Sequence, residues 1–268
     1  MSPKRNANRY VRLMVRVFTD RYTEGATAVP FEREDIERSA KALRIPVPKN
    51  LGDLIYSFRY RTSLPEAIGR TAPEGAEWVI LPAGKARYQF ALVRSARIIP
   101  NTHLAETKVP DSTPGVIARY ALTDEQALLA RIRYNRLVDV FTGVACYSLQ
   151  SHLRTTVEGM GQVETDEVYI GVDRKGVHYA FPIQAKRGDD TLNVVQTVQD
   201  LAMCREKWPD LVCRPVAAQF MAADLISMFE LEGHPDQLAA VVSEKHYRLV
   251  RPDDLTTADL EAYRRRTQ

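Results

Sequence analysis

The spacing of apolar residues along the first hundred positions predicts two short helices followed by two strands. Residues 32–44 place Ile36, Ala40 and Leu43 on one helical face, with acidic residues in the first turn and basic residues in the last. A second helix is expected to begin after Asn50, a residue type that favours the N-cap position. The strand-like runs that follow are WVILP at 78–82 and YQFALV at 88–93.

Two helices joined by a tight turn and followed by two strands are typical of a winged helix-turn-helix, which is a DNA-binding arrangement. The alternative is a helical hairpin that caps the body of the protein. Residues 94–122 are rich in proline and irregular, which indicates a connector. We therefore expect an N-terminal, mainly helical region at 1–122 and a second domain at 123–268.

The second half of the chain has the order helix, hairpin, helix, strand. This order predicts an α/β (α+β) fold with a mixed β-sheet flanked by helices. A capping box at Thr123 and Gln126 predicts a long buried helix that reaches the region of Ser151. The remaining predicted elements are strands at 162–172 and 177–186, a helix at 191–206 and a strand at 214–221.

The turn DRKG between the two β-rich runs predicts a bulged hairpin, because Asp at its first position and Gly at its fourth suit a type I turn followed by a left-handed glycine. In that register the numbers of paired residues add up to 350, so Asp166 lies opposite Gln184 and Glu164 opposite Lys186. Paired side chains share one face of the sheet. A slip of one residue would separate Asp166 from Gln184, so the interpretation requires this register.

Composition and charge narrow the class of protein. The 268 residues are 45% hydrophobic, and no run approaches the roughly 20 apolar residues of a membrane helix. Three scattered cysteines without a secretory signal predict a cytoplasmic protein with reduced thiols. Residues 1–61 hold thirteen Lys or Arg against seven Asp or Glu, which favours a nucleic-acid partner but equally fits a solvated basic face. The motifs GxSxG, GxxxxGK[ST] and GxGxxG are absent from the sequence.

Asp166, Gln184 and Lys186, with Glu164 ahead of them, resemble the motif of the PD-(D/E)xK nuclease superfamily, in the variant where Gln replaces the last acid. The resemblance covers roughly residues 125–222, and within the superfamily the chain is most similar to prokaryotic type II restriction endonucleases. It implies a restriction-endonuclease-like core and Mg²⁺-dependent hydrolysis of DNA, with Mn²⁺ as an alternative ion. The Gln removes one negative charge, which should weaken metal binding unless Glu164 compensates.

The local chemistry is consistent with this resemblance, because Mg²⁺ takes oxygen ligands and activates water. Asp166 offers a carboxylate, Gln184 an amide oxygen and Ala185 a backbone carbonyl. Lys186 would polarise the attacking water or stabilise the charge that develops at phosphorus. The alternative is a solvent-facing hairpin with a Glu164–Lys186 ion pair worth about 0.2 to 1 kcal/mol.

The expected function is a Mg²⁺-dependent endonuclease acting on double-stranded DNA, first of all a type II restriction enzyme with a cognate DNA methyltransferase encoded nearby. One site per chain and two strands to cut predict a homodimer. The alternatives are a structure-specific repair or recombination nuclease, and a DNA-binding protein with a degenerate nuclease core. The candidate phosphate contacts are Lys41, Lys49, Arg59 and Arg61.

Overall fold

A large mixed β-sheet flanked by helices confirms the predicted α/β (α+β) class. The structure, a computed structural model, describes residues 3–94, 97–120, 124–188, 190, 192–234 and 238–266, and for residues 3–8 and 61 it describes the backbone alone. Among these residues, no helix is both long and apolar enough to cross a membrane.

The N-terminal lobe, residues 3–93, packs helices on a three-stranded antiparallel sheet of order β1-β3-β2. Both predicted helices and both predicted strands are present, and Asn50 caps the second helix by accepting a hydrogen bond from the Asp53 amide at 3.1 Å. In chain order the lobe runs helix, strand, three helices and two strands. The elements are α1 (Pro3–Thr19), β1 (Ala28–Glu32), α2 (Arg33–Ala42), α3 (Leu51–Tyr56) with its π-helical continuation Ser57–Arg61, α4 (Glu66–Gly69), β2 (Glu77–Pro82) and β3 (Arg87–Val93).

The rest of the chain builds the core sheet, of order β5-β13-β12-β11-β8-β7-β6. Strand β11 runs parallel to β8, as the predicted helical crossover between them requires. The elements are β4 (Arg97–Ile98), β5 (Glu106–Pro110), α5 (Gly115–Tyr120), α6 (Glu125–Tyr134), α7 (Leu137–Thr142), β6 (Ala145–Val157), β7 (Gly161–Val172), β8 (His178–Lys186), β9 (Leu192–Asn193), α8 (Val194–Lys207), β10 (Val212–Cys213), β11 (Val216–Ala222), β12 (Leu225–His234), β13 (Leu238–Val250), a 3₁₀-helix (Pro252–Asp254) and α9 (Thr257–Arg265).

Apolar burial holds the core sheet between two helical layers. On one face Leu128 and Ile132 of α6 pack with Phe181 and Ile183 of β8. On the other face the apolar side of α8 packs against β7 and β8. The end of hairpin β7–β8 therefore lies between α6 and α8, which brings side chains from both helices to it.

The expectation of one long helix from Thr123 to the region of Ser151 is wrong. Helix α6 ends at Tyr134, and α7 is a separate short helix bounded by Arg136 (φ 49°) and Gly143 (φ 69°) in the left-handed region. Left-handed residues break the run of helical hydrogen bonds. The chain then forms the long strand β6, where the spacing of apolar residues had predicted the end of the helix.

The N-cap of α6 also differs from the prediction by one position. The Asp124 side chain accepts a hydrogen bond from the Ala127 amide at 2.9 Å, so Asp124 is the cap and Gln126 is not its partner. Thr123 lies outside the described residues. The shift makes Glu125 the first helical residue, directed toward the core sheet by the contact described below.

The connector predicted at 94–122 is partly ordered into strands. Strand β4 pairs with β9, and β5 joins the core sheet beside β13. Strand β5, which precedes residue 122 in the chain, therefore belongs to the core sheet. Hydrophobic residues of the lobe sheet and the core also form one shared cluster, which includes Val79, Leu81, Val195 and Phe229.

Candidate functional site

The predicted hairpin register is confirmed over most of its length. Strands β7 and β8 pair from Val172 with His178 to Glu167 with Ile183, so that paired numbers add up to 350. The turn closes through the Asp173 amide, which donates to the Val177 carbonyl at 3.1 Å, and Gly176 is left-handed with φ 79°. The glycine meets the backbone requirement that the sequence predicted for a bulged hairpin.

Beyond Glu167 the two strands no longer pair, and the alternation of β7 breaks. Thr165 and Val168 both face α8, since Thr165 bonds to Asp200 and Val168 packs in the same cluster as Met203. Glu167, two positions after Thr165, faces α6 instead, where it bonds to Arg133. Residues two positions apart on opposite faces are the signature of a local irregularity in a strand.

At this irregularity Asp166 and Gln184 have different partners, since Asp166 contacts Ala185 and Lys186 whereas Gln184 is held by α8. The Gln184 amide nitrogen donates to the two carboxylate oxygens of Asp200 at 3.2 and 3.0 Å. Its amide oxygen accepts from the Gln196 side chain at 2.6 Å. Because both ends of this buried amide are engaged by α8, the geometry does not support Gln184 as a metal ligand.

Glu164 is not brought to Lys186 either, so the expected cross-strand pair is wrong. Its carboxylate instead bonds to Arg154 of the neighbouring strand β6 at 2.9 Å, in a contact open to solvent. The pairing of β7 with β8 has already ended at this point. Glu164 therefore cannot compensate directly for the missing acid at position 184.

Instead, three oxygen groups converge on Lys186. Its ammonium donates to Glu125 Oε1 at 2.9 Å and to the carbonyl oxygen of Ala185 at 3.0 Å, and it lies 4.0 Å from Asp166 Oδ2. The same Asp166 oxygen accepts a hydrogen bond from the Ala185 amide at 2.8 Å. We call Glu125, Asp166, Ala185 and Lys186 the Lys186 centre.

The charges of this centre follow from burial and proximity. Burial alone would lower the pKa of Lys186, but Asp166 and Glu125 outweigh it, so its pKa lies above the ordinary value. Burial raises the pKa of Asp166, against the opposing effects of Lys186 and the Ala185 amide. Two carboxylates raise the pKa of Lys186, whereas Asp166 shares the Lys186 ammonium with Glu125. Lys186 is therefore a firmly protonated cation at neutral pH.

Sequence reasoning missed three functional side chains. Glu125 opens α6, and the signal that could have found it is the Asp124 cap. Asp200, on α8, is buried, and its burial raises its pKa to about 7. Gln196 donates to the Gln184 amide oxygen and holds that side chain in place.

A second polar cluster lies on the α6 side of β7. The fully buried carboxylate of Glu167 accepts from the Arg133 guanidinium at 3.0 and 2.8 Å and from the Ser148 hydroxyl at 2.5 Å. Arg133 and Ser148 also line an open cleft of about 280 Å³. Arg133 offsets the buried charge through Oε1, whereas Oε2 of Glu167 is buried without a hydrogen-bond partner among the described residues.

The candidate phosphate contacts are spread over the N-terminal lobe. Lys41 and Lys49 are exposed. Arg59 is half-buried, with its guanidinium 4.8 Å from the centre of the Tyr60 ring. The side chain of Arg61 lies outside what the structure describes. The described side chains thus leave Lys41 and Lys49 open to a polyanion, whereas the Nε and Nη2 atoms of Arg59 are buried.

The oxygen groups of the centre fit a hard cation. Glu125, Asp166 and the Ala185 carbonyl already surround one positive charge, the Lys186 ammonium, which stands where a cation is favoured. Mg²⁺ is commonly held by one or two carboxylates and completes its shell with water and phosphate. Within the described part of the chain, no three or more His, Cys, Asp or Glu side chains form a metal-binding group.

Comparison of the chain with protein-family models, with curated proteins and with solved structures finds no match. The functional assignment therefore rests on the geometry of the Lys186 centre and its surroundings.

Proposed function

We propose that the chain is a Mg²⁺-dependent endonuclease that hydrolyses phosphodiester bonds of double-stranded DNA. The observation that carries the proposal is the convergence of two carboxylates and a carbonyl on the partly buried Lys186, where the central strands β7 and β8 separate. Cleavage of an anionic ester needs oxygen ligands that hold a metal ion and a fixed positive charge that stabilises the developing negative charge.

Glu125, Asp166 and the Ala185 carbonyl would hold the ion. When bound, it would neutralise charge on the scissile phosphate and lower the pKa of a water molecule. Asp166 suits a fixed ligand, because the Ala185 amide orients one of its oxygens at 2.8 Å. Glu125 is the more exposed of the two carboxylates, so it can also accept a proton from the attacking water.

Lys186 acts as an electrostatic stabiliser and not as a base. Its pKa is raised, so its ammonium has no free lone pair with which to accept a proton at neutral pH. Placed beside the phosphate, this fixed positive charge would stabilise the negative charge that builds up as the water oxygen bonds to phosphorus and the bond to the leaving sugar oxygen breaks.

The N-terminal lobe supports duplex DNA as the substrate. Its two helices followed by two strands are typical of a winged helix-turn-helix, and its first 61 residues carry an excess of six positive charges. Together with a hydrolytic centre, this arrangement favours a sequence-specific type II restriction enzyme that acts in the cytoplasm as a homodimer. Its sequence specificity would come from side chains that contact the edges of the bases.

Two further functions are tested by the same experiment. A repair or recombination nuclease would cut only branched or damaged DNA, and a degenerate nuclease core would bind DNA without cutting it. The second is favoured by Gln184, whose amide offers no free ligand.

Incubation of plasmid, phage and branched DNA with the purified protein, in Mg²⁺ and in EDTA, tests the proposal. Discrete fragments in Mg²⁺ and none in EDTA are the expected result. Cutting restricted to branched substrates would support the repair function. Binding in a mobility-shift assay without any cutting, under either condition, would overturn the enzyme proposal.

A further inference from the structure

Helix α8 contacts the N-terminal lobe and the end of β8 through the same turn. On the lobe side, the Tyr60 hydroxyl donates to Gln199 Oε1 at 2.6 Å. On the sheet side, the next residue, Asp200, accepts from the Gln184 amide at 3.0 Å. A displacement of this turn would therefore change both contacts together.

The contact with Asp200 is buried, and the contact with Tyr60 is partly buried. Gln199 is 2% exposed and Asp200 is 1% exposed. Burial raises the pKa of Tyr60 to about 12, so its hydroxyl stays protonated and donates. Buried polar side chains tolerate few alternative partners, because an unpaired group would cost on the order of 1–3 kcal/mol.

The lobe is attached to α8 at a second point. The Asn193 side chain caps α8 by accepting from the Val195 amide at 2.8 Å, and it donates to the Arg59 carbonyl at 3.2 Å. The π-helical continuation of α3 is thus tied to the first and second turns of α8. In a winged helix-turn-helix, this second helix of the motif is the one that enters the DNA major groove.

On the sheet side of α8, two residues of this helix hydrogen-bond to the Gln184 side chain. Gln196 donates to its amide oxygen at 2.6 Å, while Asp200 accepts from its amide nitrogen and from the Thr165 hydroxyl. Gln184 directly precedes Ala185 and Lys186, which present the carbonyl and the ammonium of the Lys186 centre. Fixing the Gln184 side chain therefore fixes the strand end that carries the chemistry.

We propose that Tyr60 and Asp200 are positioning residues for the Lys186 centre, acting from opposite sides of α8, so that docking of the lobe helix determines the geometry of the end of β8. The role of this coupling in catalysis rests on the proposed nuclease activity. The coupling links the docking of the N-terminal lobe, where the proposed DNA substrate would bind, to the geometry of the Lys186 centre.

Hydrogen exchange measured by mass spectrometry on the free protein tests the coupling. Tyr60→Phe removes the hydroxyl and keeps the ring, and the Ala185 amide, which bonds to Asp166, should then exchange about fivefold faster than in the wild type. Tyr88→Phe is the matched control, because the Tyr88 hydroxyl contacts Arg33 within the lobe. Amides of β12 serve as the internal reference for global unfolding.

Gln199→Met removes the same hydrogen bond from the α8 side and should reproduce the Tyr60→Phe pattern. Faster exchange confined to α3 and α8, with the Ala185 amide unchanged in both variants, would overturn the coupling. Because this readout needs no DNA, it gives its result even if the protein does not cleave DNA. In an active enzyme, Tyr60→Phe should lower the single-turnover cleavage rate about fivefold at unchanged DNA affinity, whereas a purely structural role would leave that rate intact.

Discussion

The ammonium of Lys186 lies 2.9 Å from the carboxylate of Glu125, a residue 61 positions earlier in the chain. The contact joins the first turn of α6 to the last residue of β8. It supplies the second carboxylate at a site where the sequence motif offers an amide. The centre is therefore assembled from a helix and two strands, and not from one hairpin alone.

Glu125→Gln tests the contribution of that helix. The variant removes one oxygen charge and the proton acceptor while keeping the side-chain shape, so DNA cleavage in Mg²⁺ should fall about 100-fold. Glu34→Gln removes a first-turn acid from the exposed face of α2 and is the matched control. Equal cleavage by wild type and Glu125→Gln would exclude Glu125 from the centre.

Gln184→Glu separates a positioning role from a ligand role. In the structure the new carboxylate would face Asp200 at about the 3.0 Å of the present contact, so the free energy of unfolding should fall by about 2 kcal/mol at pH 8 and recover toward pH 5. Urea titrations at both pH values measure this. A variant of unchanged stability that binds Mg²⁺ more tightly and cleaves faster would show that Gln184 is a ligand after all.

Asp200→Asn should change how stability depends on pH. Because burial raises the pKa of Asp200 to about 7, the folded protein binds more protons than the unfolded chain between about pH 4 and 7, and stability falls as the pH rises through that range. Asn cannot ionise, so at pH 8 the variant should be about 4 kcal/mol more stable than the wild type, with the difference vanishing near pH 4. Asp210→Asn, at an exposed position, is the control. Parallel stability curves for wild type and Asp200→Asn would contradict the prediction.

Arg133→Met should be strongly destabilising, because it leaves the fully buried carboxylate of Glu167 without its cation. The expected loss in the free energy of unfolding is about 3 kcal/mol. Arg70→Met breaks the exposed Arg70–Glu66 pair and should cost less than about 1 kcal/mol. Losses of similar size in the two variants, measured by urea unfolding, would show that the Glu167 pair is not a buried ion pair in solution.

Local patterns predicted much of the fold. The turn DRKG determined the register of β7 and β8 through Glu167, and the cap at Asn50 marked the start of α3. Short-range signals of this kind report hydrogen bonds that close within a few residues. Strand β6 was missed because Arg136 and Gly143 break the helix by backbone conformation, which the spacing of apolar residues does not reveal.

The candidate site was predicted only in part, because its geometry depends on long-range contacts. Asp166, Ala185 and Lys186 do come together, as expected. The break in alternation at Asp166 and Glu167 follows from two contacts, the ion pair of Glu167 with Arg133 and the hydrogen bond of Thr165 to Asp200. Neither contact can be predicted from the strand sequence, because both partners lie on helices.

The most direct test of the Lys186 centre is the digestion of supercoiled plasmid in Mg²⁺ by three proteins: wild type, Lys186→Met and Lys175→Met. Lys175 is exposed in the turn of the same hairpin, so its variant controls for the loss of one positive charge. Wild type and Lys175→Met should cut, while Lys186→Met should bind the plasmid and cut at least about 100-fold more slowly. Cutting by Lys186→Met at the wild-type rate would contradict the account.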